Sequence, residues 1–141
     1  MIGRAHAAAL AVLSALAACT PASTTMTPAA VEAFLEAPLP PGRRDLKTYT
    51  EAGIDRLLLL HLDAPVAEAD AFAARLVPGG LEAGADPGLG PLGTAFDGWI
   101  AAPPEGSVGG ETLVDGRRAV KVIVAPAAPG WRRVWVASFT L

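Results

Sequence analysis

Hydrophobic and polar positions along this chain follow different periods in different places. Residues 56–62, RLLLLHL, are apolar apart from Arg56 and His61. A run of this length without a polar face predicts a strand covered on both sides. A weaker strand is expected over 45–50, with Glu51 to Asp55, containing Gly53, as the turn between the two. Pro65 to Val77 has a different period. Val66, Ala69, Phe72, Ala73 and Leu76 recur at helical spacing, and Glu68, Asp70 and Arg75 lie elsewhere around the helix. Asp63 or Ala64 is its expected N-cap, and Pro78-Gly79-Gly80 stops it.

The C-terminal third alternates. Val114-Asp115-Gly116-Arg117 is a two-residue hairpin signal. Arg118 to Val124 is β-branched and alternating. Ala125 to Gly130 reads as a wider turn, and Trp131 to Leu141 as a long final strand. Trp131, Arg133, Trp135, Ala137, Phe139 and Leu141 share one face of that strand. We expect Trp135, Phe139 and Leu141 to lie under a helix. Near the start, Thr27-Pro28 predicts a short helix with Thr as N-cap and Pro at its first position. Val31, Phe34 and Leu35 form its apolar side, and Pro38, Pro40 and Pro41 end it. Residues 78–110 are rich in Gly and Pro and have no clear period, with Trp99 and Ile100 as the expected apolar anchors of a long loop. The pattern predicts an α+β fold: a small antiparallel sheet of about 4–5 strands, two helices on one face and a C-terminal β-meander.

The first 27 residues belong to neither period. Met1 to His6 carries one Arg, and Ala7 to Ala18 is then apolar except for Ser14. This is the layout of a secretory signal peptide, too short to span a bilayer, which takes about 20 apolar residues. Leu16-Ala17-Ala18-Cys19 follows, and Cys19 is the only cysteine of the 141 residues. The motif resembles the lipobox of bacterial lipoproteins: an aliphatic residue, two small residues, then Cys. The resemblance implies cleavage before Cys19, a diacylglyceryl group on its thiol, and often acylation of the new amino group. Two or three chains anchor durably where one does not. Thr20 instead of Asp after the cysteine resembles outer-membrane sorting. The division expected is a cleaved signal over 1–18, a flexible tether over 19–27, and one domain over 28–141. Leu39-Pro40, Ile54-Asp55, Leu60, Pro65, Phe72 and Trp99 are also similar in layout to small bacterial envelope lipoproteins, a likeness that implies no activity.

Charge narrows the partners. The net charge is -3, and it becomes -4 once residues 1–18 with Arg4 are removed. A mildly acidic chain lacks the basic footprint of a nucleic-acid binder. A single cysteine leaves no internal disulfide. The membrane, reached through the acyl chains on Cys19, is the expected partner, together with an envelope protein of unknown kind.

Candidate chemistry is sparse. Gly88-Leu89-Gly90-Pro91-Leu92-Gly93 fits G-x-G-x-x-G, but Ala85-Asp86-Pro87 precedes it in place of a strand and Pro91 removes an amide, so we read it as an ordinary loop. His61, the one histidine after residue 18, shares a strand face with Asp63. A catalytic zinc wants three protein ligands, and neither a second His nor a Cys is at hand. We read His61 as a satisfied or partly exposed strand residue. Ser107 sits in Glu105-Gly106-Ser107-Val108-Gly109, which misses the G-x-S-x-G elbow. Ser138 lies on the face opposite Trp135. The pairs Arg43-Arg44, Arg117-Arg118 and Arg132-Arg133 read as solvated surface charge. No catalytic residue, metal ligand or cofactor is assigned. The expected function is a lipid-anchored envelope protein whose domain faces the periplasm as a non-enzymatic interaction or accessory module. The alternatives are a small-ligand binder with the 78–110 loop as lid, and an envelope hydrolase using His61 with Asp63.

Overall fold

A computed structural model describes residues 25–51, 53 and 55–141. The expected lipobox and acylation at Cys19, and most of the tether, lie outside the described residues. Helix α1 covers Pro28–Leu35 and strand β1 Arg44–Glu51. Strand β2 (Leu57–Pro65) runs into helix α2 (Val66–Leu76). After the two-residue strand β3 (Glu82–Ala83) come a 3-10 turn at Gly90–Gly93 and strands β4 (Val108–Val114), β5 (Arg118–Pro126) and β6 (Trp131–Thr140). The six strands form one antiparallel sheet in the order β1-β2-β6-β5-β4-β3. The α+β class and the C-terminal meander are as the sequence predicts.

The element ends follow local chemistry. The Thr27 hydroxyl accepts from the Ala30 amide at 3.2 Å, which caps α1. Asp115 and Gly116 both take positive φ, 52° and 65°, as the tight β4–β5 hairpin requires. Helix α2 starts later than expected. Neither Asp63 nor Ala64 caps it, because both are still in β2. Pro65 stands at the N-cap without a side-chain bond, and the Gly130 carbonyl in the β5–β6 turn accepts from the Val66 amide at 3.2 Å.

Two layers cover the sheet. On one face Leu58, Leu60, Leu62, Val122, Val134 and Val136 are buried beneath both helices, against Val31, Leu35, Phe72 and Leu76. On the other face Leu59, Ile123, Trp135 and Ala137 are buried with Leu89, Phe96, Trp99 and Ile100 of the long loop. Trp135 therefore lies under the loop and not under a helix. Helix-covered positions of β6 are the even ones, Val134 and Val136. Leu141 is also unlike the expectation, at 69% exposed.

The loop itself holds more structure than its sequence suggests. It contains β3, the 3-10 turn and the first residues of β4, and these raise the strand count from the expected four or five to six. Gly109 and Gly110 explain why the pattern is silent here. A Cβ on Gly109 would stand 2.5 Å from the Ala85 carbonyl oxygen, and one on Gly110 would stand 2.9 Å from Leu81. The strand needs bare backbone where the loop crosses it, and bare backbone carries no hydrophobic period. Trp99 and Ile100 do anchor the loop. The Trp99 indole donates to the Leu89 carbonyl at 2.9 Å, and Phe96 meets Trp99, Tyr49 and His61 edge to face. Lys121 adds a polar tie, donating to the Pro87 carbonyl at 2.5 Å and pairing with Glu111 at 2.8 Å.

Because Leu60 is fully buried in the helix-facing core, Leu60→Ala should destabilise the fold by about 2–5 kcal/mol. Gly109→Ala should cost about 1–3 kcal/mol, since the obstacle is backbone. Urea unfolding of each variant measures both. A Gly109→Ala chain as stable as the parent would contradict the loop crossing described here.

Candidate functional site

A cluster of charges on the loop-facing side of the sheet comes from three adjacent strands. Arg44 of β1 stands opposite Asp63 of β2, and Asp63 stands opposite Arg133 of β6. Arg133 donates from Nε to Asp63 Oδ1 at 2.7 Å and from Nη2 to Oδ2 at 3.0 Å, a two-pronged pair. The Asp63 side chain is 6% exposed and that of Arg133 is 44% exposed. Asp63 thus grips Arg133 from below, and the guanidinium reaches outward. The Arg133 guanidinium holds the Asp63 carboxyl below the usual carboxylate range, against the opposing push of burial.

Arg44 is held differently. Its guanidinium carbon lies 3.7 Å from the centre of the Trp131 ring, a stacking contact that fixes the plane and leaves the edges of the group clear. Arg44, Asp63, Arg133 and Trp135 line a depression of about 500 Å³, completed by Pro104, the last part of the long loop, and by the chain at 125–128. The third expected surface pair divides across the sheet. Arg132 points to the helix side and pairs with Asp70 at 3.3 Å. On the far end of the sheet Arg118 reaches Glu36 at 3.2 Å, the Ser138 hydroxyl at 3.4 Å and the Leu35 carbonyl at 3.5 Å, at the C-terminus of α1. Reading all three Arg pairs as freely solvated charge is therefore corrected for Arg44, Arg118, Arg132 and Arg133.

His61 lies on the same face as Asp63, as the strand period predicts, between Lys47 and Trp135 on the flanking strands. It is 8% exposed, its ring sits 5.6 Å from that of Phe96, and Nδ1 has no hydrogen-bond partner among the described residues. The expected satisfied histidine is thus buried with one nitrogen unsatisfied. Burial, then the charges of Arg133 and Lys47, lower its pKa, and the carboxylates of Asp63 and Asp45 oppose this.

Among the described residues, Asp63, Ser107 and Ser138 do not gather around His61. Both Asp63 oxygens are taken by Arg133, so Asp63 orients an arginine and not His61. Ser138 is on the other face of the sheet and meets Arg118. Ser107, buried just before β4, is separated from β2 by β5 and β6. Three strand spacings put it about 14 Å from His61. Beneath the 78–110 loop, expected as a lid in the small-ligand reading, Leu89, Phe96, Trp99 and Ile100 pack against the sheet. Among the described residues, no group of three or more His, Cys, Asp or Glu could hold a metal ion.

His61 and Asp63 tie stability to pH on the acid side. The folded pKa of His61 is lowered, so its contribution is present above the unfolded value of about 6.5 and is lost as pH falls through the lower folded value. Asp63 contributes above its unfolded value of about 3.9, and that contribution is lost as pH falls further. Melting temperature followed from pH 7 to pH 2 should fall in two stages. His61→Phe should flatten the upper stage, and an upper stage that persists in this variant would contradict the assignment. Arg133→Gln leaves a buried carboxylate alone. It should cost about 2 kcal/mol near neutral pH, less than a fully buried pair because the guanidinium is partly solvated. Differential scanning calorimetry reads that loss.

No protein family, curated protein or solved structure matches this chain.

Proposed function

We propose that this chain is a lipoprotein of the cell envelope, acylated at Cys19, whose folded domain acts as a non-enzymatic interaction or accessory module on the periplasmic side, at the outer membrane. The observation that carries the anchor is Leu16-Ala17-Ala18-Cys19 directly behind the apolar run Ala7 to Ala18. No helix among the described residues is long and apolar enough to cross a membrane, so no described helix offers a second route to the bilayer.

The module half of the proposal rests on the commitment of Asp63 to Arg133, which takes the carboxylate away from His61. Position supports it too. The Met26 amide donates to the Thr48 hydroxyl at 3.2 Å, so the chain enters the fold along β1. Six residues lie between Cys19 and Met26, so the seven Cα-to-Cα steps reach at most about 25 Å. An acylated Cys19 would hold the β1 edge, with Arg43 and Arg44, close to the headgroups.

Cells expressing the chain and fed a labelled fatty acid test the anchor. The parent should carry label and Cys19→Ser should not. An unlabelled parent in a host that labels its other lipoproteins would contradict the proposal. Replacing His61 with Phe in the same strain separates the module from the hydrolase. A folded, labelled variant that loses its cellular role would favour the hydrolase.

A further inference from the structure

We propose that the corner formed by Arg44, Asp63, Trp131 and Arg133 binds an oxyanion of the phosphate type. The inference does not depend on acylation of Cys19. A guanidinium offers five N–H donors. Asp63 engages Arg133 side-on, through Nε and Nη2. Three donors remain, two on Nη1 and one on Nη2, and one from each nitrogen forms the end-on edge of the group. Among the described residues, no acceptor meets that edge. The carboxylate that would otherwise compete for it is already bound, and at 6% exposure it is fixed. Arg133 is thus an aimed fork, held on one edge and open on the other, the form suited to two-pronged capture of an oxyanion.

Arg44 supplies the second fork. Stacking on Trp131 at 3.7 Å uses the face of its guanidinium and none of its in-plane donors. Both arginines open on the same depression of about 500 Å³, enough for the oxyanion and a substituent. Of the residues lining it, Arg44 and Arg133 are positive and Asp63 negative, so one positive charge remains uncompensated. Asp45 lies nearby and acts on Arg133, but it is not part of the lining. A planar carboxylate offers a single edge for a fork. A tetrahedral phosphate offers several and can take Arg133 on one and Arg44 on another. Two sources share this chemistry: the phosphodiester headgroup of an anionic phospholipid, and a soluble phosphate ester.

The test uses the full chain in zwitterionic micelles, with the indole N–H resonances of its tryptophans as reporters. One arm titrates inorganic phosphate, and the other titrates short-chain phosphatidylglycerol into the micelles. Trp131 and Trp135 should shift saturably, and Trp99, under the loop, should move much less. Arg44→Gln and Arg133→Lys should each weaken binding about tenfold or more, the loss expected for charge-assisted bonds. Arg133→Lys keeps a cation on Asp63 and removes only the open fork. Arg44→Gln leaves the Asp63–Arg133 pair intact, so at least one variant stays folded. Arg75→Gln on α2 should bind as the parent does. Competition between the two titrants assigns the headgroup as the ligand, and a response to phosphate alone assigns a soluble ester. No saturable shift in either arm, or parental binding by both arginine variants, would overturn the proposal.

Discussion

Strand β2 has no solvent face, and the rest of the fold follows from that constraint. Leu58, Leu59, Leu60 and Leu62 are all fully buried. Successive side chains of a strand point to opposite sides, so a run of leucines demands cover on both. The even positions take the two helices. The odd positions take the long loop, which has no repeating apolar face and covers the sheet through a few large anchors. Both edges of β2 must also be paired, because a buried ladder cannot leave its amides without partners. The hairpin partner β1 takes one edge. The final strand β6 takes the other, and this closes the sheet across most of the sequence.

That closure creates the charged corner. Pairing β2 with β6 places Asp63 beside Arg133 although 70 residues separate them. The pairing of β1 then adds Arg44 on the opposite flank. A carboxylate at this depth would be costly alone, and Arg133 offsets that cost by reaching down from a solvated position. The corner is where a two-sided apolar strand ends and polar groups first reach water. The same pair that makes the buried Asp63 tolerable also fixes the direction of Arg133. His61, one alternation further in on the same face, meets aromatic rings and cations and is left with an unsatisfied nitrogen.

Much of this fold is written in local pattern. The leucine run, the helical spacing after Pro65 and the Asp115-Gly116 turn each report their element directly. The missing pieces share a physical cause. Alternation along β6 separates Trp135 from Val134, but it does not say whether helix or loop covers each side. Gly109 and Gly110 hide the start of β4 because the loop backbone passes where their side chains would be. The Asp63–Arg133 pair depends on strand register, which no local window contains. The three Arg pairs look alike in sequence, and only the pairing of strands gives Arg133 a buried partner, Arg44 an aromatic platform and Arg118 a helix end.

Native-state amide hydrogen exchange tests the central role of β2 most directly. If β2 is the strand covered on both faces, the amides of Leu58 to Leu62 and of Val134 to Ala137 should exchange only through global unfolding. Those of β3, and of β1 near its bulge at 44–47, should open at lower free energy. Exchange of the Leu58 to Leu62 amides through local opening, faster than the flanking strands, would contradict the account.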